Sequence, residues 1–118
     1  HSSDREAKEG LEPVEVEKIL EGVKRMPVYR WRYKENPGVE HIGPVAQDFT
    51  REFEVGVDER SIAAVDADGV LFAAVQALAR ENERIVRDNE RIVRENEDLR
   101  RRIEELERRI QGPASGSF

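Results

Sequence analysis

The sequence contains no cysteine, a single tryptophan and only two histidines among its 118 residues. The lack of cysteine excludes disulfide bonds and thiolate chemistry, and it leaves the redox compartment undefined. His1 and His41 lie far apart in the chain and make a poor ligand set for a metal. We therefore expect no metal and no other cofactor.

Apolar residues are also scarce. Hydrophobic residues make up 37% of the chain and charged residues 39%, which leaves only a thin core for a globular monomer. This ratio suits a long solvated helix or an oligomer that buries surface between chains. The longest nearly apolar run, residues 69–79, includes Gln76 and is too short to cross a bilayer. The net charge of −6 argues against nucleic acid, because phosphate binding requires a basic surface. We expect neither a membrane nor a nucleic-acid partner.

The charge is distributed unevenly along the chain. Residues 80–111 contain ten arginines and ten acidic residues, so the whole net charge lies before Arg80. This division predicts a small acidic head followed by a neutral, highly charged helix. We assign the head to residues 1–74, a coiled-coil trimerisation helix to residues 75–111 and a disordered tail to residues 112–118.

The head has the patterns of a mainly α domain with a few short strands. Val16, Ile19, Leu20 and Val23 recur at helical spacing after Pro13. The alternation of residues 28–34 is typical of a half-buried strand. In chain order the predicted elements are a helix over 13–26, strands over 28–34 and 39–43 joined by a turn at 35–38, a helix started by Pro44, and a short strand over 61–66.

Apolar residues and asparagines alternate in steps of three and four beyond the head, in five unbroken heptads. Gly112 and Pro113 then predict the end of the helix. A helix of this length cannot fold back on so small a head, so we predict a parallel coiled coil. Its core positions are Val75, Leu78, Asn82, Ile85, Asn89, Ile92, Asn96, Leu99, Ile103, Leu106 and Ile110.

Several heptad positions indicate how many chains associate. Isoleucine at d positions disfavours a dimer, and Val86 and Val93 at e positions widen the apolar stripe, so both favour three chains. Asparagine at three successive a positions fixes the register, or alternatively weakens the seam so that the helices can separate. The acid-first spacing also predicts ion pairs along one helix, at Glu83–Arg87, Glu90–Arg94, Glu97–Arg101 and Glu104–Arg108.

The polar stretch SSDREAK, residues 2–8, is either a solvated terminus or part of an active site. Ser3 and Lys8 are a possible nucleophile and base, but a serine and a lysine at this spacing are very common. His41 could orient a catalytic group and Gln47 could donate to an oxyanion, although both have structural alternatives. Tyr29, Trp31 and Tyr33 could stack on sugars, but such a face of a strand is far more often packed.

Taken in order, SDREAK, VYRWRY, HIGPVAQDF and IAAVDADGVLFAAVQALARENERI resemble the intramolecular chaperone domain of endosialidases. That domain also closes phage tail fibres, tailspikes, some bacterial surface proteins and myelin regulatory factor. The resemblance extends from Ser3 to about Ile85. Pro44, where a bulky apolar residue is common, departs from the family pattern.

The resemblance implies a homotrimer that helps an upstream β-rich fibre or spike domain of the same polypeptide to fold. It also implies self-cleavage by a Ser3–Lys8 dyad, with Asp4, Arg5, His41 and Gln47 as possible supporting residues. The cleavage site lies beside Ser3; we favour Ser2–Ser3, with the side left open. The implied location is a virion tail fibre precursor assembled in the host cytoplasm, or a bacterial surface protein. The alternative function is a trimerisation module of a fibre or adhesin that never cuts.

A lysine can serve as the base only when it is neutral, yet a free lysine has a pKa of about 10.4. Burial lowers a lysine pKa by up to about 3–5 units. An isolated N-terminal arm cannot provide such burial, but a packed trimer could. We therefore hypothesise that cleavage reports assembly, and we expect Asp4 to face Arg5 or backbone amides instead of Lys8.

Overall fold

The chain is described here from a computed structural model, which covers residues 2–116 and the side chains of residues 2–112. It divides into two compact units, His1–Ala79 and Arg80–Phe118. The boundary between them falls where the charge pattern of the sequence changes. The chain is mainly helical, with a two-stranded sheet and a long C-terminal helix, as the sequence predicts.

The head begins with a short 3-10 helix, Arg5–Ala7, followed by helix α1, Val16–Arg25. Glu17 in the first turn of α1 and basic residues in its last turn complement the helix dipole. The buried face of α1 packs against the beginning of the C-terminal helix. The buried residues of this core are Val16, Leu20, Ala74 and Ala77.

Strands β1, Tyr29–Tyr33, and β2, Asn36–Gly43, form an antiparallel hairpin. Trp31 pairs with His41, and the register shifts between Trp31 and Tyr33. The predicted turn at 35–38 was misplaced: the turn residues are Lys34 and Glu35. Pro37 can lie within β2 because both strands of a two-stranded sheet are edge strands.

Helix α2, Ala46–Phe53, begins two residues after Pro44, as its spacing predicts. Phe49 is buried, and its ring contacts Phe53 edge-on with 5.0 Å between the centroids. Arg25 at the end of α1 donates to Glu52 Oε2 from Nη2 at 2.9 Å. This hydrogen bond and the charge of Arg25 hold the pKa of Glu52 below its ordinary value.

Helix α3, Ala64–Gly116, corrects two predictions. The strand predicted over residues 61–66 is wrong, because residues 64–66 form the first turn of α3. The Ala63 carbonyl there accepts from the N–H groups of Asp66 and Ala67, and Asp66 suits a first turn. The helix also continues past Gly112, where the sequence predicts its end, although Pro113 has no N–H to donate. Of the predicted tail, residues 117 and 118 lie outside the described residues.

The predicted acid-first ion pairs at Glu83, Glu90, Glu97 and Glu104 do not form within the described part of α3. Residues at the c and g positions of the heptad pair instead. These pairs are Asp88–Arg91, Arg91–Glu95, Asp98–Arg102 and Glu105–Arg109. Each exposed pair contributes only about 0.2–1 kcal/mol, so spacing alone cannot select among the possible pairs.

Gly22 is required where α1 meets α2. A Cβ atom at this position would lie 2.7 Å from Cε1 of Phe53. We expect Gly22→Ala to destabilise the head by about 1–3 kcal/mol, because overpacking exceeds the gain in helix propensity. Thermal unfolding followed by circular dichroism measures this. Gly69→Ala is the control, since nothing lies within 4 Å of its added Cβ, and its melting temperature should not fall. Equal behaviour of the two variants would contradict the close approach.

Candidate active site

Ser3 and Lys8 are in direct contact. Lys8 Nζ donates to Ser3 Oγ across 2.9 Å, although the two residues are five positions apart. The 3-10 helix Arg5–Ala7 lies between them and turns the chain back. A nucleophile and a base within hydrogen-bonding distance are the first geometric requirement of a catalytic dyad.

Asp4 does not pair with Lys8. Its Oδ1 accepts from the backbone N–H of Glu6 at 2.9 Å, so Asp4 is the N-cap of the 3-10 helix. A backbone amide was one of the two expected partners of this carboxylate. Arg5, the other, makes no ion pair within residues 2–112. Lys8 Nζ therefore remains directed at the serine hydroxyl.

Ser2 has a role that the sequence analysis missed. Its Oγ accepts from the backbone N–H of Asp4 at 3.1 Å, so this hydrogen bond spans the Ser2–Ser3 peptide bond. The signal was available, because serine side chains commonly bond to the backbone two residues further along.

The single chain leaves this segment open to water. All residues from Ser2 to Gly10 are exposed, including Ser3 and Lys8. The geometry of a dyad is thus present in one chain, whereas the dry surroundings that a lysine base needs are not.

His41 and Gln47 form no hydrogen bond to Ser3 or Lys8 in the described residues. The His41 ring instead stacks on Trp31 with 4.7 Å between centroids, and it meets Tyr33 edge-on at 5.3 Å. Gln47 is exposed in the first turn of α2. The packing alternative for His41 is the one that its contacts support.

A second candidate surface is the apolar stripe of α3. Its apolar core positions are 44–75% exposed in the single chain, and Asn82, Asn89 and Asn96 are exposed without hydrogen-bond partners among the described residues. A continuous apolar face of this kind marks an interaction surface.

No group of His, Cys, Asp and Glu side chains in the described residues is arranged to hold a metal ion. The helices in this part of the chain also include none that is long and apolar enough to span a membrane.

Residues 3–58 match a family of chaperones whose name also places it among the serine peptidases. The matching family is described as the chaperone of endosialidase, and the segment similar to it contains Ser3, Lys8, both strands, α1 and α2. The match confirms the resemblance seen in the sequence and supports a general chaperone role. A comparison with curated proteins found no match.

Trp31 is the only tryptophan, so its fluorescence reports on the hairpin. His41→Ala removes the ring stacked on the indole, and we expect the emission of Trp31 to shift to the red as water reaches it. Gln47→Ala is the control and should leave the spectrum unchanged, since Gln47 is exposed on α2. An unchanged spectrum for His41→Ala would contradict the packing role of His41.

Proposed function

We propose that this chain is a C-terminal intramolecular chaperone that forms a homotrimer and helps an upstream β-rich fibre, tailspike or surface domain to fold. It then releases itself by cleavage beside Ser3. The observation that carries the proposal is the 2.9 Å contact between Lys8 Nζ and Ser3 Oγ within the segment that matches the family.

The proposed reaction balances with water as its only added reactant. Ser3 Oγ attacks the carbonyl carbon of Ser2, and a neutral Lys8 amine accepts the hydroxyl proton. A C–O bond forms, the C–N bond between Ser2 and Ser3 breaks, and Lys8 returns the proton to the leaving nitrogen. Water then hydrolyses the ester, which leaves a carboxylate on Ser2 and restores the Ser3 hydroxyl.

This reaction needs Lys8 in its neutral form, and desolvation favours the neutral form of a lysine. Ser3 and Lys8 are exposed in one chain, so the water must be excluded by other copies. Cleavage would therefore follow assembly, which is useful for a chaperone that should stay attached until its client has trimerised.

The burial pattern supports association. Only five apolar residues are buried among those described, and no large side chain is fully buried. Leu71, Phe72 and Val75 are 56–72% exposed and line an open hollow of about 470 Å³ at the start of α3. A small domain with so little core is normally stabilised by a partner. Further copies of the same chain would cover this surface and the stripe beyond it.

The charges beside the stripe support a parallel arrangement in register. A g residue of one helix then meets the e residue of the following heptad in its neighbour. Glu95 meets Arg100 and Arg102 meets Glu107, and both pairs are attractive. Arg100 and Glu107 form no ion pair within the described single chain, so each is available for a neighbour.

The first prediction of this proposal concerns the cut. The chain extended by its upstream sequence should give two bands, with Ser3 as the new N-terminus, because the Ser2–Ser3 bond lies beside the dyad. Ser3→Ala and Lys8→Ala should each abolish cleavage, since the first removes the nucleophile and the second removes the base. Gel electrophoresis and N-terminal sequencing provide the measurement.

Lys18→Ala is the matched control, because Lys18 is an exposed lysine on α1 paired with Glu15, and this variant should still cut. A single band from a wild-type trimer would support the trimerisation module that never cuts, and a cut that survives Lys8→Ala would exclude the dyad.

A second prediction concerns the trimer. The chain should sediment as a trimer, and Arg100→Glu should weaken it, because each contact with Glu95 of a neighbour becomes repulsive. An exposed pair contributes about 0.2–1 kcal/mol, and three such contacts occur per trimer. Adding Glu95→Arg should recover part of the lost melting temperature, because it re-forms the attraction between neighbours but removes the Arg91–Glu95 pair within each helix. Sedimentation velocity and thermal unfolding measure both effects.

The control is Arg94→Glu, which makes the same charge change at an outer f position and should affect assembly less. Sedimentation as a stable monomer or dimer would overturn the trimer, and failure of the double variant to recover would overturn the parallel register.

A further inference from the structure

We propose that Asp4 is a positioning residue for the Ser3–Lys8 pair, and that it acts as the N-cap of the 3-10 helix Arg5–Ala7 and not through its charge. The inference rests on the proposed self-cleavage, and it identifies what brings the two reacting side chains together.

The chain must bring Ser3 and Lys8 much closer together than an extended conformation would. Five residues of extended chain span about 17 Å, whereas Lys8 Nζ lies 2.9 Å from Ser3 Oγ. The 3-10 helix shortens the path, since it rises only about 2.0 Å per residue. The contact between Ser3 and Lys8 therefore depends on this helix.

The 3-10 helix is stabilised by few interactions apart from the Asp4 cap. It is three residues long, and none of its residues is buried. Two backbone bonds close it, from Ala7 N–H to the Asp4 carbonyl at 3.0 Å and from Lys8 N–H to the Arg5 carbonyl at 3.1 Å. The bond from Glu6 N–H to Asp4 Oδ1, at 2.9 Å, is the third. Isolated short helices are marginal in water, so the loss of one bond in three is significant.

The charge of Asp4 would oppose the reaction if it acted on Lys8 directly. A carboxylate bonded to Lys8 would favour the ammonium form and oppose its action as a base. The cap bond occupies Asp4 Oδ1 with the Glu6 amide, while Lys8 Nζ donates to Ser3. Capping thus accounts for an acid so close to a lysine that must lose its proton.

Asp4 is also tied to the residue before the candidate scissile bond. Its backbone N–H donates to Ser2 Oγ at 3.1 Å, so the Ser2–Ser3 peptide lies within one hydrogen-bonded turn. Residue 4 thereby orders the chain on both sides of Ser3, with its N–H towards Ser2 and its carboxylate towards Glu6.

Three substitutions of Asp4 distinguish a role as a helix cap from a role of its charge. Asparagine and serine cap helices about as well as aspartate but carry no charge. Alanine neither caps a helix nor carries a charge. In the chain extended by its upstream sequence, Asp4→Ala should slow cleavage by about two- to thirtyfold, the change in population that loss of an N-cap causes. Asp4→Asn and Asp4→Ser should cleave at close to the wild-type rate, with an unchanged pH profile.

A structural readout keeps this test independent of the proposed function. At a mildly acidic pH, where Lys8 stays protonated and the chain stays uncut, NMR should show Glu6 amide protection and the nuclear Overhauser contact between Ser3 and Lys8 in the wild type, Asp4→Asn and Asp4→Ser. Both signals should be lost in Asp4→Ala. Sedimentation of each variant verifies that it assembles as the wild type does.

The possible outcomes are distinct. If the contact persists in Asp4→Ala, or if Asp4→Asn is as slow as Asp4→Ala with a shifted pH profile, the capping role is overturned. If the wild type never cleaves but the contact follows the cap as described, the positioning role stands and the proposed self-cleavage fails.

Discussion

The hydrogen bond between Lys8 Nζ and Ser3 Oγ is the interaction on which the proposed activity depends, and it meets only one of two requirements. Its length of 2.9 Å satisfies the geometry of a dyad. The second requirement is a neutral lysine, which needs water to be excluded, and both side chains are exposed in one chain. Geometry is thus supplied locally by a capped turn, whereas in the proposed function the protonation state would be supplied by assembly. This separation would allow the proposed cut to wait for a trimer.

The same association would stabilise the fold. The head buries two residues of α1 against two alanines of α3, and the apolar stripe beyond it stays about half exposed. In the proposed trimer, further free energy for folding would come from surface buried between chains. Asparagines at three successive a positions limit that gain and make every shifted register leave amides without partners. If the proposed trimer aligns three client chains, a unique register would serve it better than maximal stability.

Periodicity was enough to predict α1, α2, β1 and the long helix, because each has an apolar face that matches its own repeat. It failed where local hydrogen bonds decide the secondary structure. Residues 61–66 have a strand-like composition, yet the Ala63 carbonyl and Asp66 start a helix there. The Ser3–Lys8 contact could be inferred only from a family resemblance, since the pattern itself is common. The position of His41 in an aromatic stack and the Ser2 bond to Asp4 depend on side-chain geometry, which spacing does not determine.

The chemistry of the proposed cut also explains why it would proceed in one direction. Breaking the Ser2–Ser3 bond frees an α-amino group on Ser3, with an ordinary pKa of about 7.7–8.0. Protonation of this amine removes the lone pair that would attack Ser2, and the new Ser2 carboxylate is a poor electrophile. The bond from Asp4 N–H to Ser2 Oγ, which orders the chain across the peptide, is lost as soon as Ser2 leaves. These changes oppose religation, so the turn that prepares the cut would also help to release the client once it is made.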